Sequence, residues 1–566
     1  MTADTAAQLT GIGVCAGIGI APVAHMGSPV HELPEARVKG DPAFERERAE
    51  RALEDVATEL ERRGARAEGP AAEVLESQAM MARDPALHAI VVDAIGSGTP
   101  APHAVDAAIA GFAEALIAAG GYLAERAADL GDLRNRVMAR LLHLPMPGVP
   151  DRDQPFVLVA EDLAPADTVD LDPTKILALV TERGGPTSHT AIIAKALGLP
   201  AIVACRGALE IPEGTLAVVD GSTGVVTLRP SAEEVTSAQR RIAARAALLA
   251  ASSGPGRTAD GHPVALLLNL GSSTDATDGD VDAEGVGLLR TEFLFLDRTE
   301  EPSVAEQTAA YRRLFEAFGG RKVVVRTIDV GADKPLPFVA AGPGDNPALG
   351  LRGWRLRQLE PEVIDRQLQA LAAAAEDAPC DVWTMAPMIA TVAEARDFTS
   401  RARALGLSTV GVMVEVPSLA LQADRLVDVV DFVSIGTNDL SQYTFAADRL
   451  VGELGVLLDP WQPALLQLVA RVADAGSRRG VPVGVCGEAA SDPLLALVLA
   501  GMGCSSLSMS AGALPEVRAS LSGHDLARCR QLSTLALAAE DGAAARLAVA
   551  DAVATVATVA TVAADL

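Results

Sequence analysis

The stretch FVSIGTND, Phe432–Asp439, starts as an apolar run and stops on Gly, Thr, Asn and Asp. A short run of this kind, closed by turn-forming polar residues, reads as a buried strand that carries chemistry at its C-terminal end. The pattern recurs on both sides of it. VALLLNL (Val264–Leu270), GVGLLR (Gly285–Arg290), KVVVRTID (Lys322–Asp329), VWTMAPM (Val382–Met388), GVMVEV (Gly411–Val416), VGVCGE (Val483–Glu488) and SLSMS (Ser506–Ser510) are separated from one another by helix-length segments. Eight such units predict a (β/α)8 barrel, a fold whose active sites are built where the strands end. Asn269, Arg290, Arg326, Glu415, Asn438, Asp439 and Cys486 all fall at or near those ends.

Outward from the barrel, 566 residues exceed what one core holds, since single cores stop growing near roughly 250 to 300 residues. The texture of the chain predicts four parts. Residues 1–34 and 144–230 alternate strands and turns around the helical segment AIIAKALG and form one α/β domain. Residues 35–143 place apolar residues at helical spacing in about four segments, a helical bundle inserted into that domain. Residues 231–256 are a linker helix opening on SAEE, and residues 257–566 are the barrel. The C-terminal repeat ATVATVATVA reads as an Ala/Val helix with no chemistry of its own.

Charge and cysteine usage exclude several classes. Lys and Arg number 47 against 74 Asp and Glu, a net charge of −27, which argues against nucleic acid because phosphates need basic surface. Uninterrupted apolar runs fall short of the ~18 residues of a membrane span, and the N-terminus lacks the basic start and apolar core of a signal peptide. The six cysteines lie far apart without CxxC spacing, so neither a disulfide framework nor a zinc site is expected and the cytoplasm is the expected compartment.

The α/β domain carries GGPTSHT, Gly184–Thr190. Two glycines permit tight turns, Thr187, Ser188 and Thr190 supply hydroxyl donors, and a helix follows whose free N–H groups favour anions. A neutral imidazole at this place is a competent nucleophile at pH 7. GGPTSHTAIIAKALGLPAIV resembles the phosphohistidine motif of the phosphoenolpyruvate-utilising enzymes, with Thr168 as a further imidazole partner. GVGLLRTEF, RTIDVGADK, GVMVEVP, SIGTNDLSQYTFAADR and VCGEAASDP resemble the C-terminal barrel of the same enzymes, in the same order.

That resemblance implies a set of roles. His189 is the residue phosphorylated by phosphoenolpyruvate. Arg290, Arg326, Asn438, Asp439, Arg449 and Arg352 contact the substrate, the four arginines being expected together at strand ends. Glu415 and Asp439 hold Mg2+, and Cys486 is the acid that protonates the enolate at C3. The chain departs from the family's usual pattern at Pro186, Ala332 and Ala386.

Relatives that work with ATP carry a large ATP-binding domain ahead of the histidine, whereas the helical segment here has no Gly-rich phosphate loop. It resembles instead the domain by which the enzyme I family of the bacterial sugar phosphotransferase system docks its carrier protein HPr. Met80, Met81, Tyr122, Leu123 and Arg126 are the candidate docking residues, packing between helices being the other reading of them. With no sensory domain ahead of residue 1, the sugar system is favoured over its nitrogen-regulatory relative. The implied activity is Mg2+-dependent phosphoryl transfer from phosphoenolpyruvate to His189 and then to HPr, by a homodimer joined through the barrel. An ATP-linked dikinase relative and a non-catalytic phosphoenolpyruvate-sensing phosphoprotein are the alternatives.

Overall fold

The computed structural model describes the chain apart from residues 1–6, 28–32, 34–40, 65–69, 120–126, 145, 151, 164–170, 186–187, 272–280, 296–297, 299, 331–335, 337, 339–345, 450, 452–453 and 565–566. For a few residues inside helices, His189 among them, the backbone alone is described. Two compact units are present, the main part of one ending at Gln239 and the main part of the other beginning at Arg240.

In the first unit, eight strands form one sheet. They are β1 (Ala7–Thr10), β2 (Ile12–Cys15), β3 (Ile18–His25), β4 (Phe156–Ala160), β5 (Ile176–Thr181), β6 (Ala201–Val203), β7 (Leu216–Asp220) and β8 (Val225–Leu228), in the spatial order β1-β8-β7-β3-β4-β5-β6-β2. Strands β3, β4, β5 and β6 run parallel. Both faces of this centre are buried, so β4 reads as the continuous apolar run FVLVA. Alternate residues go to opposite faces: Val157 and Val159 join one core, while Phe156, Leu158 and Ala160 join the other, which the chain after β5 covers with Ala194 and Leu199.

Between β3 and β4 the chain forms helices α1 (Pro42–Gly64), α2 (Pro70–Ala82), α3 (Pro85–Gly96), α4 (Ala101–Ala119) and α5 (Ala127–Leu142) around a core that includes Leu53, Leu60, Leu87, Ile109 and Leu133. The described bundle therefore has five helices rather than about four, because the segment Glu73–Ile95 is broken at its centre. Pro85 lacks the N–H that a continuous helix would need there, and Asp84 caps the new helix by accepting from Ala86 N at 2.7 Å. Helix α6 (His189–Leu197) follows β5, and α7 (Ala232–Ala251) contains the division between the two units.

The second unit is a closed parallel barrel of β9 (Ala265–Leu270), β10 (Gly285–Leu289), β11 (Lys322–Arg326), β12 (Asp381–Ala386), β13 (Thr409–Val414), β14 (Val433–Ile435), β15 (Val483–Val485) and β16 (Ser506–Met509). All eight strands coincide with the eight apolar runs. One set of side chains, Val433, Ile435, Val485, Leu507 and Met509 among them, packs outward under the surrounding helices. The alternate set, including Leu288, Val324, Met385, Met413, Phe432 and Cys486, fills the interior. Two surrounding helices begin with reciprocal capping boxes, Ser303 with Glu306 and Thr391 with Glu394. Among the described residues no helix is long and apolar enough to cross a membrane.

Candidate active site

The parallel strands deliver their last residues to one rim. Arg326 ends β11, Arg290 follows β10, Glu415 follows β13, Cys486 follows β15, and Asn438 and Asp439 lie in the first turn of the helix Thr437–Phe445 after β14. Arg352 and Arg449 were expected at strand ends with the other two arginines. They come instead from connecting segments, Arg352 just before the short helix Gly353–Gln358 and Arg449 after Thr437–Phe445, and only their folded path brings them to the same place.

What these residues form is a row of alternating charge. Glu292 accepts from Arg326 Nη2 at 3.0 Å, Arg326 Nη1 lies 3.3 Å from Asp329, and Arg352 grips Asp329 through Nη2 at 2.8 Å and Nε at 3.2 Å. Arg352 Nη1 then reaches Asp439 Oδ1 at 3.2 Å, and Arg449 Nη1 stands 3.8 Å from Asp439 Oδ2. Except for the half-exposed Arg449, every member is buried. Burial works against the charge of Arg326 and Arg352, but the facing carboxylates more than restore it and hold both guanidinium groups charged. Glu292 and Asp329 were not singled out in the sequence, although RTEF and RTID place them two and three residues after arginines of the set.

Glu415 sits below this row, 1% exposed, with Oε1 accepting from Met388 N at 2.6 Å. Met388 reaches it from a left-handed backbone with φ of 58°, a costly conformation for a side chain of this size. Burial, then the carboxylates of Asp439 and Asp329, push the Glu415 carboxyl up to about 8, against the pull of Arg326 and the Met388 N–H. Gly436 leaves the second oxygen its room, since a Cβ there would stand 3.0 Å from Glu415 Oε2. Two mutually repelling hard-oxygen donors fit a divalent cation. Among the described residues no three His, Cys, Asp or Glu side chains stand together as a metal cluster, and a cation held by these two carboxylates would have the rest of its shell to fill with water or substrate oxygens, a donor set that suits Mg2+.

Cys486 occupies the interior just beneath the rim. Burial pushes its thiol up to about 11, although the Ser434 hydroxyl, Arg326 and Arg290 pull the other way. The group therefore keeps its proton at neutral pH. Its backbone is fixed by neighbours: Cys486 N donates to Ile435 O at 3.0 Å, and Asn269 Nδ2 donates to Cys486 O at 3.1 Å. Asn269 thus ties strand ends together. Gly487 lets the chain pass the Thr437–Phe445 helix, where any Cβ would lie 1.9 Å from Thr437 Oγ1. Asn438 Oδ1 accepts from Glu488 N at 3.2 Å, and Ala386 is the buried last residue of β12.

In the first unit, His189 opens helix α6, so its backbone lies at a helix N-terminus. Thr190 Oγ1 donates to Asp162 Oδ1 at 2.8 Å and Leu163 N to the same oxygen at 2.9 Å, tying the histidine turn to the chain that leaves β4. Gly184 makes the approach with φ of 93°, a backbone that favours glycine. Asp162 is a positioning residue that the sequence reading missed. Thr168, Pro186 and Ala332 lie outside the described residues. Of the docking candidates, Met80 is 69% exposed at the end of α2 and Met81 packs against the bundle core, while Tyr122, Leu123 and Arg126 lie outside the described residues.

Comparison with known proteins agrees along the chain. Family models of the PEP-utilising enzymes match in three places: the N-terminal segment over residues 10–126, the mobile domain over 152–224 and the PEP-binding domain over 246–526. The phosphoenolpyruvate-protein phosphotransferase of Streptomyces coelicolor is 53% identical over 545 residues, 95% of this chain and 98% of that one. Proteins of the same description from Staphylococcus carnosus and Bacillus subtilis are each 38% identical, over 74% and 71% of this chain and 75% and 73% of their own. The fold and the three family matches are those of the enzymes that use phosphoenolpyruvate. Within that class the chain belongs to the phosphoenolpyruvate-protein phosphotransferase family.

Proposed function

We propose that the chain transfers the phosphoryl group of phosphoenolpyruvate to His189 in a Mg2+-dependent reaction, releases pyruvate, and passes the group on to a histidine of HPr as the first step of sugar uptake by the phosphotransferase system. The observation that carries this reading is the charge row at the barrel rim. Arg326, Arg352 and Arg449 stand against Glu292, Asp329 and Asp439, three positive groups against three acidic ones, with the carboxyl of Glu415 beside them and Arg290 exposed after β10. Such a rim has arginines to orient a phosphate and a carboxylate but little net positive charge to spare. Glu415 and Asp439 would hold Mg2+, which supplies the missing charge when bound.

In this scheme Arg290, Arg326, Arg352, Arg449 and Asn438 orient the phosphate and carboxylate of the substrate. The imidazole of His189 attacks phosphorus in line, the bond from phosphorus to the enol oxygen breaks, and the enolate leaves with its electron pair. Cys486 then gives its proton to C3, producing pyruvate. A histidine that serves both the barrel and a carrier protein must travel between them. Swivelling of the domain formed by residues 1–34 and 144–230 is proposed, with hinges near 20–35, 144–150 and 231–256. Residues 35–143 would receive HPr with Met80 on the docking face, and the barrel of residues 257–566 would join two copies of a cytoplasmic enzyme.

Incubation with phosphoenolpyruvate labelled in its phosphate tests the central claim. The expected result is acid-labile label on the unaltered protein, dependent on Mg2+ and absent from His189→Ala. No label on either would leave a barrel that binds phosphoenolpyruvate without using it.

A further inference from the structure

Helix Pro361–Ala375 buries an apolar stripe that includes Val363, Ile364, Leu368 and Leu371, and in the middle of it stands one polar residue, Gln367, with no exposure to solvent. A buried amide is costly unless its atoms are paired. Three hydrogen bonds pair this one. Gln367 Oε1 accepts from Ile328 N at 2.9 Å, and Nε2 donates to Thr291 Oγ1 at 3.0 Å and to Tyr311 OH at 2.9 Å. Because Thr291 Oγ1 accepts from the amide, its own proton is free to go elsewhere, and it donates to Arg326 O at 3.0 Å. Thr291 and Tyr311 are as fully buried as Gln367.

These bonds fall where the ladder of the barrel gives out. Between β11 and β12 the pairing runs to Arg326 and Met385, but between β10 and β11 the register breaks after Val286 and the last pair is Leu289 with Val325. On the β10 side, then, Arg326 O is held by the Thr291 hydroxyl. Beyond β11 the next amides also turn to side chains, Ile328 N to Gln367 and Asp329 N to Glu292 Oε1 at 2.7 Å. The stretch Arg326–Asp329 supplies two members of the charge row, and Gln367 reaches both ends of it. We propose that Gln367 and Thr291 are positioning residues for the substrate arginine Arg326. The amide orients the Thr291 hydroxyl toward Arg326 O and holds Ile328, so that Asp329 stays against Arg326 and Arg352. Neither residue touches substrate. The inference rests on the proposed role of Arg326 in orienting phosphoenolpyruvate.

The test reads the rate of His189 labelling against phosphoenolpyruvate concentration in the full-length protein with Mg2+. Gln367→Met keeps the length of the side chain and removes its hydrogen bonds, while Thr291→Val keeps the shape of the threonine and breaks the link to Arg326. Each is expected to raise the half-saturating concentration about tenfold or more, since misplacing a group that holds substrate costs up to about a hundredfold. Destabilisation by itself lowers the fraction of protein that labels and leaves half-saturation where it was. Thr291→Ser, which retains the hydroxyl, should recover most of the loss, and the double variant Thr291→Val with Gln367→Met should lose no more than the worse single one, because both break the same chain of bonds. Leu368→Ala is the control: it opens a cavity beside Gln367 in the same helix, so it should lower the denaturant midpoint and leave half-saturation within about twofold. If Gln367→Met does not fold, Thr291→Val against Thr291→Ser decides. Folded variants whose half-saturation stays unaltered, or moves no further than that of Leu368→Ala, would overturn the positioning role. An unaltered protein that takes no label from phosphoenolpyruvate would instead remove the proposed reaction, and this inference with it.

Discussion

Buried between Arg326 and the carboxylates of Asp329 and Asp439, Glu415 holds its proton to about pH 8 in the metal-free chain. The unfolded carboxyl releases that proton near its model value of 4.5. Between these values the folded state binds more protons than the unfolded one, so stability is greatest below pH 4.5 from this group and declines as pH rises toward 8. Thermal melts in a chelating buffer should show this decline, Glu415→Gln should flatten it, and added Mg2+ should raise Tm at pH 8 in the unaltered protein but not in the variant. An identical pH profile for Glu415→Gln would remove Glu415 as the cause. Cys486 gives a kinetic counterpart. A thiol held protonated is an acid throughout the neutral range, so Cys486→Ala should slow pyruvate formation by roughly 10²–10⁴-fold while label still reaches His189. Rapid quenching that follows label and pyruvate separately checks this, and equal slowing of both would place Cys486 in phosphoryl transfer itself.

At the scale of elements, the turn that carries His189 depends on a residue outside its own motif. Asp162 Oδ1 takes hydrogen bonds from Thr190 and Leu163, and losing the acceptor should cost about 1–2 kcal/mol. Asp162→Ala should therefore lower the rate of His189 labelling by more than it lowers the stability of the sheet, measured as labelling rate against denaturant midpoint; a rate unchanged at equal stability would show that the turn holds without it. Sequence could reveal the histidine turn because its glycines and hydroxyls are contiguous, but Asp162 stands 27 residues before His189 and only the pairing of β4 with β5 brings it near. The barrel strands were legible for a similar local reason. Each is buried on both sides, so each is an apolar run with a polar end. Arg352 and Arg449 were legible as arginines but not as occupants of loops, because a loop's path leaves no periodic trace in sequence. The break at Asp84–Pro85 was written in the chain, and the helical period on either side of it hid the stop.

Over the whole molecule, the two compact units have separate cores: the barrel's aliphatic shell in one, and the bundle and sheet cores in the other. A chain built this way need not unfold in one step. The rim residues Arg290, Arg326, Arg352, Glu415, Asp439 and Cys486 all belong to the unit that begins at Arg240, so a ligand of the rim stabilises that unit directly. Calorimetry of the full chain should show at least two transitions. Mg2+ with a phosphoenolpyruvate analogue that cannot transfer its phosphoryl group should shift the barrel transition alone, by about 2.7 kcal/mol at a hundred times Kd. Arg326→Ala, which removes the partner of Glu292 and Asp329, should abolish that shift and also lower the barrel transition without ligand, because it leaves two buried carboxylates without this cation. If ligand moved both transitions equally, the units would unfold as one cooperative body, and stabilisation at the rim would extend to the unit that carries His189.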